Sequence, residues 1–390
     1  MLAPRDNAVT TQWRPLADLA GLAAEWRALA ARAVEPNVFY TPAFALPAAR
    51  ALAPDAGAVL VRGGEPRRLI GLFPCRIEAR RYGVRLPLLT GWTHPYAPLG
   101  TPLVDRDAVA AAVAGFLDHV ADDARLPKLL LTPYQVEDGP VAAALAAAIA
   151  RRGGRIAAFG RHRRALLAPG GERAGYLDAA LGGKKRKELR RQRRRLDEAG
   201  GVAFTLAREP GAVADALGQF FALEAQGWKG RAGTAAAQDG AIRRFVEAAV
   251  VDLAAQGQAG IARLACGDRV VAAGVLLTSG RGAWFWKVAH DESVARASPG
   301  VQLTLDLTEQ VLGDAAIDWC DSCAAAGHAM IDSIWRERRT LADQLIALGP
   351  RHGFALACRL ESLRRAVIGM GRKARDTWLS LVPRARRSTK

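Results

Sequence analysis

Apolar residues recur at spacings of three and four along several stretches of the chain. Leu16, Leu19, Leu22, Trp26 and Leu29 predict an amphipathic helix near the start. Short apolar runs predict strands at 58–61 and 69–76, with Gly63-Gly64 as the turn between them. Residues 86–100 mix Pro, Gly and aromatics and read as an ordered loop. A helix over 107–121, a strand over 128–132, a helix over 141–151 and strands over 155–159 and 165–167 close the first half. The second half opens with a helix after Gly182-Gly183 that ends near Gly200-Gly201, followed by a strand over 202–206. Helices follow over 212–226 and 242–256, the latter with Ile242, Phe245, Ala249 and Leu253 on one face. A meander of three strands comes next (260–265, 269–278 and 283–290), then a helix from Pro299-Gly300 to about 312. A short strand over 317–320, a helix over 330–348 and a last strand over 354–360 complete the pattern. Single helices between strands predict a mixed α/β (α+β) fold.

The length of 390 residues predicts two domains, with boundaries read at 1–168 and 169–360 and a basic tail over 361–390. Half the residues are hydrophobic and 24% are charged, which excludes a largely disordered chain. No apolar run approaches the ~18 residues that cross a bilayer. The first residues carry Arg5, Asp6 and Asn7 and no apolar leader core, so a cytoplasmic location is expected.

The net charge of +17 changes this picture because it is concentrated. Lys184 to Arg195 reads KKRKELRRQRRR, nine basic residues and one acid. Residues 359–390 hold ten basic residues and two acids. The remainder is almost neutral, which excludes a uniformly basic nucleic-acid coat. No helix-turn-helix, zinc-finger or RNA-recognition signature is present. Cys320-x-x-Cys323 with His328 lacks the second ligand pair of a structural zinc site, so no metal is expected.

Three segments carry a family resemblance. The first is the Lys/Arg-rich helix followed by Leu196-Asp197-Glu198-Ala199-Gly200-Gly201-Val202. The second is Gly227-Trp228-Lys229-Gly230-Arg231 with Gly233-Thr234. The third is Trp286-Lys287-Val288-Ala289-His290-Asp291, then Ser298-Pro299-Gly300 and a helix. In their order and spacing they resemble the GNAT acyltransferase superfamily, specifically its CelD-like (cellulose-biosynthesis type) acetyltransferase branch, which is related to the Fem-type peptidyl transferases. The resemblance spans roughly residues 176–360. It implies two tandem GNAT-like domains, each a mixed central sheet flanked by helices. It further implies transfer of an acyl group from acyl-CoA (acetyl-CoA), or another acyl carrier, to an amine or hydroxyl of a polysaccharide, lipid or cell-envelope precursor.

The candidate residues follow from that chemistry. Attack on a thioester or ester needs a polarised carbonyl and a proton acceptor. Lysine is scarce here, eight residues among the 55 basic ones, and Lys229 and Lys287 stand isolated beside Trp228 and Trp286. Either could stabilise the oxyanion, and Asp291 or His290 could take the proton. The segment Arg296, Ser298, Gly300, Val301 and Gln302 passes from a loop into a helix N-terminus suited to a pyrophosphate. It departs from the glycine-rich loop usual in the superfamily, having a single Gly. Lys184, Lys185, Arg186, Arg190, Trp228, Arg231, Trp335 and Arg338 are candidates for a phosphate-bearing or saccharide acceptor, with Trp335 and Arg338 expected on one helix face. The alternatives are a Fem-type transferase that uses aminoacyl-tRNA, or a non-enzymatic protein that binds nucleic acid or a membrane surface.

In the tail, Leu360, Leu363, Val367 and Met370 are expected to pack as a C-terminal helix on the second domain. Beyond them Trp378, Leu379, Leu381, Val382, Arg384, Arg386 and Arg387 make a basic amphipathic end, consistent with peripheral contact with the inner face of an anionic membrane.

Overall fold

The computed structural model of the protein describes residues 9–171, 173–349 and 353–381, with side chains in the last helix as far as Gly371. Arg384, Arg386 and Arg387 therefore lie outside the described residues. The first half contributes strands β1 (Thr10–Pro15), β2 (Gly57–Gly63), β3 (Arg68–Glu78), β4 (Leu88–Gly91), β5 (Leu103–Val104), β6 (Leu129–Val136) and β7 (Arg155–Leu167). Its helices are α1 (Ala23–Arg32), α2 (Pro42–Leu52), α3 (Val109–Asp122) and α4 (Pro140–Arg151). The second half contributes β8 (Val202–Ala207), β9 (Ala259–Cys266), β10 (Arg269–Ser279), β11 (Gly282–His290), β12 (Trp319–Asp321) and β13 (Glu337–Ala347). Its helices are α5 (Tyr176–Ala180), α6 (Gly183–Glu198), α7 (Pro210–Gln226), α8 (Trp228–Arg231), α9 (Gly240–Ala255), α10 (Pro299–Gly313) and α11 (Gly353–Leu381). The fold is mixed α/β, as the alternation of elements predicts.

Among the described residues all thirteen strands join one mixed sheet, in the order β1-β2-β3-β4-β6-β13-β7-β12-β11-β10-β9-β8, with β5 paired to β3. The predicted meander is there: β9, β10 and β11 pair antiparallel in sequence order. Helices flank this sheet where their apolar stripes predict. The stripe Ile242, Phe245, Ala249 and Leu253 of α9 is buried, and Asp239 caps its first turn by accepting from the N–H groups of Ala241 and Ile242. On α6 the buried residues are Leu189 and Leu196, which leaves the basic face outward.

Two expected elements are exchanged. Residues 330–348 form no helix: a 3-10 turn at Ile331–Ser333 leads into strand β13. Leu341, Leu345 and Ile346 mimic a helical stripe, but β13 is flanked by β6 and β7 and packed on both faces, so it lacks the alternation of a half-buried strand. Residues 354–360 are the start of α11, with Phe354, Ala357 and Glu361 buried at helical spacing. The two short strands expected at 155–159 and 165–167 are one, β7.

β13 thus belongs to the later part of the chain and lies between two strands of the earlier part. The apolar core is likewise shared. Phe44 of α2 meets Phe245 of α9 and Trp286 of β11 at ring separations of 5.3 and 5.4 Å. At the junction Asp321 of β12 is fully buried between Arg164 of β7 and Arg339 of β13, at 2.7 and 3.0 Å. Burial pushes its carboxyl up, but the two guanidiniums outweigh that and hold it below the ordinary Asp range.

Removing one member of such a cluster leaves charge stranded in a dry interior. Asp321→Ala is expected to cost about 3–5 kcal/mol of stability, measured by urea unfolding. Because the folded carboxyl titrates low, its contribution is full above the unfolded value near pH ~4 and is lost as pH falls through the folded value. The acid limb of unfolding should therefore flatten in the variant.

Candidate active site

β11 pairs with β12 only at Gly282, Ala283 and Trp284. Past Trp284 the two strands separate, and the β12-side edge of β11 from Phe285 to His290 is open. β11 is also bulged: Lys287 pairs with Val275 and Phe285 with Leu276, which leaves Trp286 without an opposite residue. Bulges re-aim side chains and concentrate beside functional sites. A cavity of about 540 Å³ opens along this edge. It is lined by Phe285 to His290, by Glu224 of α7 and Gly227, Trp228 and Lys229 just after it, by Ser298, Gly300 and Val301 at the start of α10, and by Ser322, Cys323 and Ala324 after β12.

The loop before β5 supplies another wall, through Pro95 and Pro98. It is fastened there by Trp286, whose indole Nε1 donates to the Tyr96 carbonyl (2.9 Å), and by Arg164, which donates to the Pro98 carbonyl (2.7 Å).

The two isolated lysines come together on one acid. Lys229 Nζ lies 2.9 Å and Lys287 Nζ 3.4 Å from Oε1 of Glu224. The other oxygen of Glu224 accepts from the Ala236 N–H at 2.8 Å. Lys287 also stands 4.8 Å from the centre of the Tyr96 ring. Glu224 is buried, which raises its carboxyl, but Lys287 and Lys229 more than offset this and hold it below the usual glutamate range. Burial lowers the Lys287 ammonium, and the attraction of Glu224 only partly restores it. The cluster carries one net positive charge in a mostly apolar pocket.

Local sequence explains the placement of Lys229. After α7 the chain turns back so sharply that a Cβ on Gly230 would sit 1.7 Å from the Ala225 carbonyl oxygen, so only glycine fits. Glu292 then secures the turn, accepting from the Trp228 N–H (2.7 Å) and pairing with Arg231 (2.6 Å).

Other candidates fall in different places. His290 lines the cavity, its ring packed against Gly300, where a Cβ would meet its Nδ1 at 3.3 Å. Asp291 does not line it: its carboxylate caps the following turn through the Ser293 N–H (2.8 Å) and pairs with Arg269. Ser298 adopts φ +52°, unusual for a residue with a side chain, at the hinge into α10. The N–H groups of Val301 and Gln302 bond to the Ser298 carbonyl, and the Gln302 side chain donates to Leu189 of α6 at 2.9 Å, so neither donor is free for a pyrophosphate. Arg296 is exposed and outside the cavity lining.

Trp228 is 60% exposed at the rim. Trp335 is fully buried, its Nε1 donating to Thr308 (2.9 Å), and Arg338 spends its guanidinium on the carbonyls of Trp335, Glu337 and Asp332. The two share no helix face, since Trp335 lies in the link after the 3-10 turn and Arg338 is already in β13. Lys184, Lys185 and Arg190 are exposed on α6, while Arg186 pairs with Asp178 at 2.5 Å. α6 packs on residues 292–297, the segment that forms one rim of the cavity.

Glu224 was not among the sequence candidates. Its signal was present: it follows Leu217 and Phe220 at helical spacing, an acid on the buried face of α7. Among the described residues no cluster of three metal-ligating side chains occurs.

Comparisons with known proteins bear on the segment that carries most of this cavity. Residues 183–328 match the acetyltransferase (GNAT) domain family. That segment holds α6 to β12 and most of the cavity lining; Pro95, Pro98, Met330 and Ile331 line it from outside the segment. The chain is similar in structure to FemX, with TM-score 0.55 and 9% identity over 83% of this chain and 95% of that one. It is also similar to the C-terminal domain of a protein from Agrobacterium fabrum named as a lysylphosphatidylglycerol synthetase, with TM-score 0.51 and 13% identity over 88% and 96%. At such identities the likeness shows the fold. No curated protein matches the chain. The CelD-like assignment finds no counterpart in these matches.

The GNAT segment's buried acid should be structurally necessary. Glu224→Ala is expected to cost about 3 kcal/mol by stranding Lys287 without its counter-charge. Lys229→Met, at a partly exposed position, should cost under ~1 kcal/mol. Urea unfolding of both variants measures the difference.

Proposed function

We propose that the protein is an acyltransferase that moves an acyl group from acyl-CoA, or a related acyl carrier, to an amine or hydroxyl acceptor in this cavity. The observation that carries the reading is the pair of ammonium groups held on Glu224 beside the open edge of β11. The acceptor's nitrogen or oxygen attacks the donor carbonyl carbon. Negative charge builds on the carbonyl oxygen, and Lys287 stabilises it, with Lys229 beside it. A new C–N or C–O bond forms and the C–S bond breaks. His290 takes the acceptor's proton and passes it to the departing thiolate. The unpaired amide groups of β11 suit the amides of a pantetheine arm, which would lie along them as an added strand.

The acceptor is proposed to carry phosphate or sugar and to belong to a lipid, polysaccharide or cell-envelope precursor. Support comes from α6, where among the described residues Lys184, Lys185, Lys187 and Arg190 form no ion pair with an acid. The same helix suits the phosphates of a charged tRNA, so aminoacyl transfer is the second reading. The names of the two structural neighbours, FemX and a lysylphosphatidylglycerol synthetase, are compatible with it.

Calorimetry and intact-protein mass spectrometry with labelled acyl-CoAs test the donor. Binding is expected, and its absence across acyl-CoAs and acyl carriers overturns the first reading. Salt-steep binding of aminoacyl-tRNA in its place favours the second. Changing Arg190, Arg191, Arg194 and Arg195 to Gln should leave acyl-CoA binding intact and weaken the acceptor.

Lys287→Met should lower kcat by about 10²–10³-fold. Stabilising the oxyanion requires the ammonium form, so activity should fall as pH rises through the lowered Lys287 value, below the ordinary lysine range. Lys287→Arg, always charged, should retain part of the rate and lose that alkaline limb. A pH–rate profile of both variants checks it.

A further inference from the structure

α11 was expected to bury Leu360, Leu363, Val367 and Met370 against the second half, and it does not. Its inner face is Phe354, Ala357 and Glu361, which pack toward β7 and β13. Glu361 is fully buried and pairs with Arg365 (2.6 Å) and Arg364 (3.3 Å). On the outer face Leu356, Leu363, Val367 and Met370 are 51, 61, 54 and 62% exposed. Their spacings of seven, four and three residues put them in one stripe along the helix. The sequence continues that spacing with Trp378 and Leu381.

The charge around this stripe says what covers it. Glu361 is the only acid between residues 353 and 371, and it is buried. Arg359 and Arg364 are exposed on the helix, and the sequence beyond adds Arg372, Lys373 and Arg375 against a single acid, Asp376. A second copy of the chain would bring an identical basic face and be repelled. A sheet of anionic phospholipid offers acyl chains to the leucines and phosphates to the arginines. Among the described residues no helix is long and apolar enough to cross a membrane, so the contact lies in the interfacial plane.

We propose that α11 docks the protein on an anionic phospholipid surface, with Leu356, Leu363, Val367 and Met370 inserted among the head groups and the flanking arginines on the phosphates. The surface is separate from the acyl-transfer cavity, and its test does not depend on the donor.

The full chain is sedimented with vesicles of phosphatidylglycerol and phosphatidylcholine, and with phosphatidylcholine alone. Binding is expected to the first only, weakening as salt rises. Leu363→Glu/Val367→Glu/Met370→Glu should reduce vesicle binding at least about tenfold. These side chains are exposed, so circular dichroism and thermal unfolding should stay unchanged. Arg372→Gln/Lys373→Gln/Arg375→Gln, which leaves the stripe untouched, should weaken binding and flatten its salt dependence. The proposal is overturned if the wild type ignores anionic vesicles. It is equally overturned if the triple Glu variant binds as well as the wild type, or if sedimentation equilibrium shows a dimer that this variant dissociates.

Discussion

The carboxylate of Asp321 is where the two parts of the chain are held together. It accepts from Arg164, from Arg339 and from the Cys323 N–H, and it has no solvent to share. Three strands, β7, β12 and β13, meet on it. Taking these charges out of water is costly and is offset only when every partner is in place. The cluster therefore ties the register of β12 to that of β13. It also sets the floor of the cavity, because Arg164 holds Pro98 and the Asp321 oxygen holds the Cys323 backbone, and both residues line the space. The place where β11 and β12 part follows from where Asp321 stops pairing.

The cavity electrostatics rest on a similar arrangement of the same sign. Glu224 is one carboxylate between two ammonium groups, which leaves one positive charge over among apolar side chains. In such surroundings a fixed charge acts strongly on a developing oxyanion and needs no reorganisation when the charge appears. Tyr96 and Trp286 close the site around Lys287, and Trp286 is itself the residue extruded by the bulge in β11. The geometry thus links a local defect in the ladder to the direction of the Lys287 side chain.

Much of the fold was legible in the sequence because helices such as α9 bury one face only and most strands stand as apolar runs bounded by turn residues. α9 and the basic helix show their periodicity directly, and the meander stands out as apolar runs cut by short Gly-containing turns. β13 was misread because a strand packed on both faces has no alternation, and Leu341 and Leu345 copy a helical spacing. The start of α11 was misread in the opposite sense, as a short apolar run. Lys229 and Lys287 stood out by rarity, and the structure brings them to one acid. Asp291 and His290 were adjacent in sequence, so only the structure could separate a cap from a cavity residue. Trp335 drew notice from the charges around it, but Arg338 satisfies backbone carbonyls and Arg336 and Glu337 engage Tyr176, while the ring fills the core. Pro95, Pro98 and Tyr96 could not be found in this way, since they reach the cavity only through the pairing of distant strands.

The central place of β13 has a consequence for the order in which the molecule is made. β6 and β7 leave the ribosome long before their common partner, and Arg155 waits for Ala347 to complete its pairing. During that interval two strand edges in the middle of the future sheet are unsatisfied, which invites capture by other chains. The middle of β7 reads Arg161-His162-Arg163-Arg164 between apolar ends, a positively charged interruption that discourages such pairing. Of these residues Arg164 is buried on Asp321 once β12 and β13 arrive. A side chain that protects the nascent strand thus becomes the junction of the finished one.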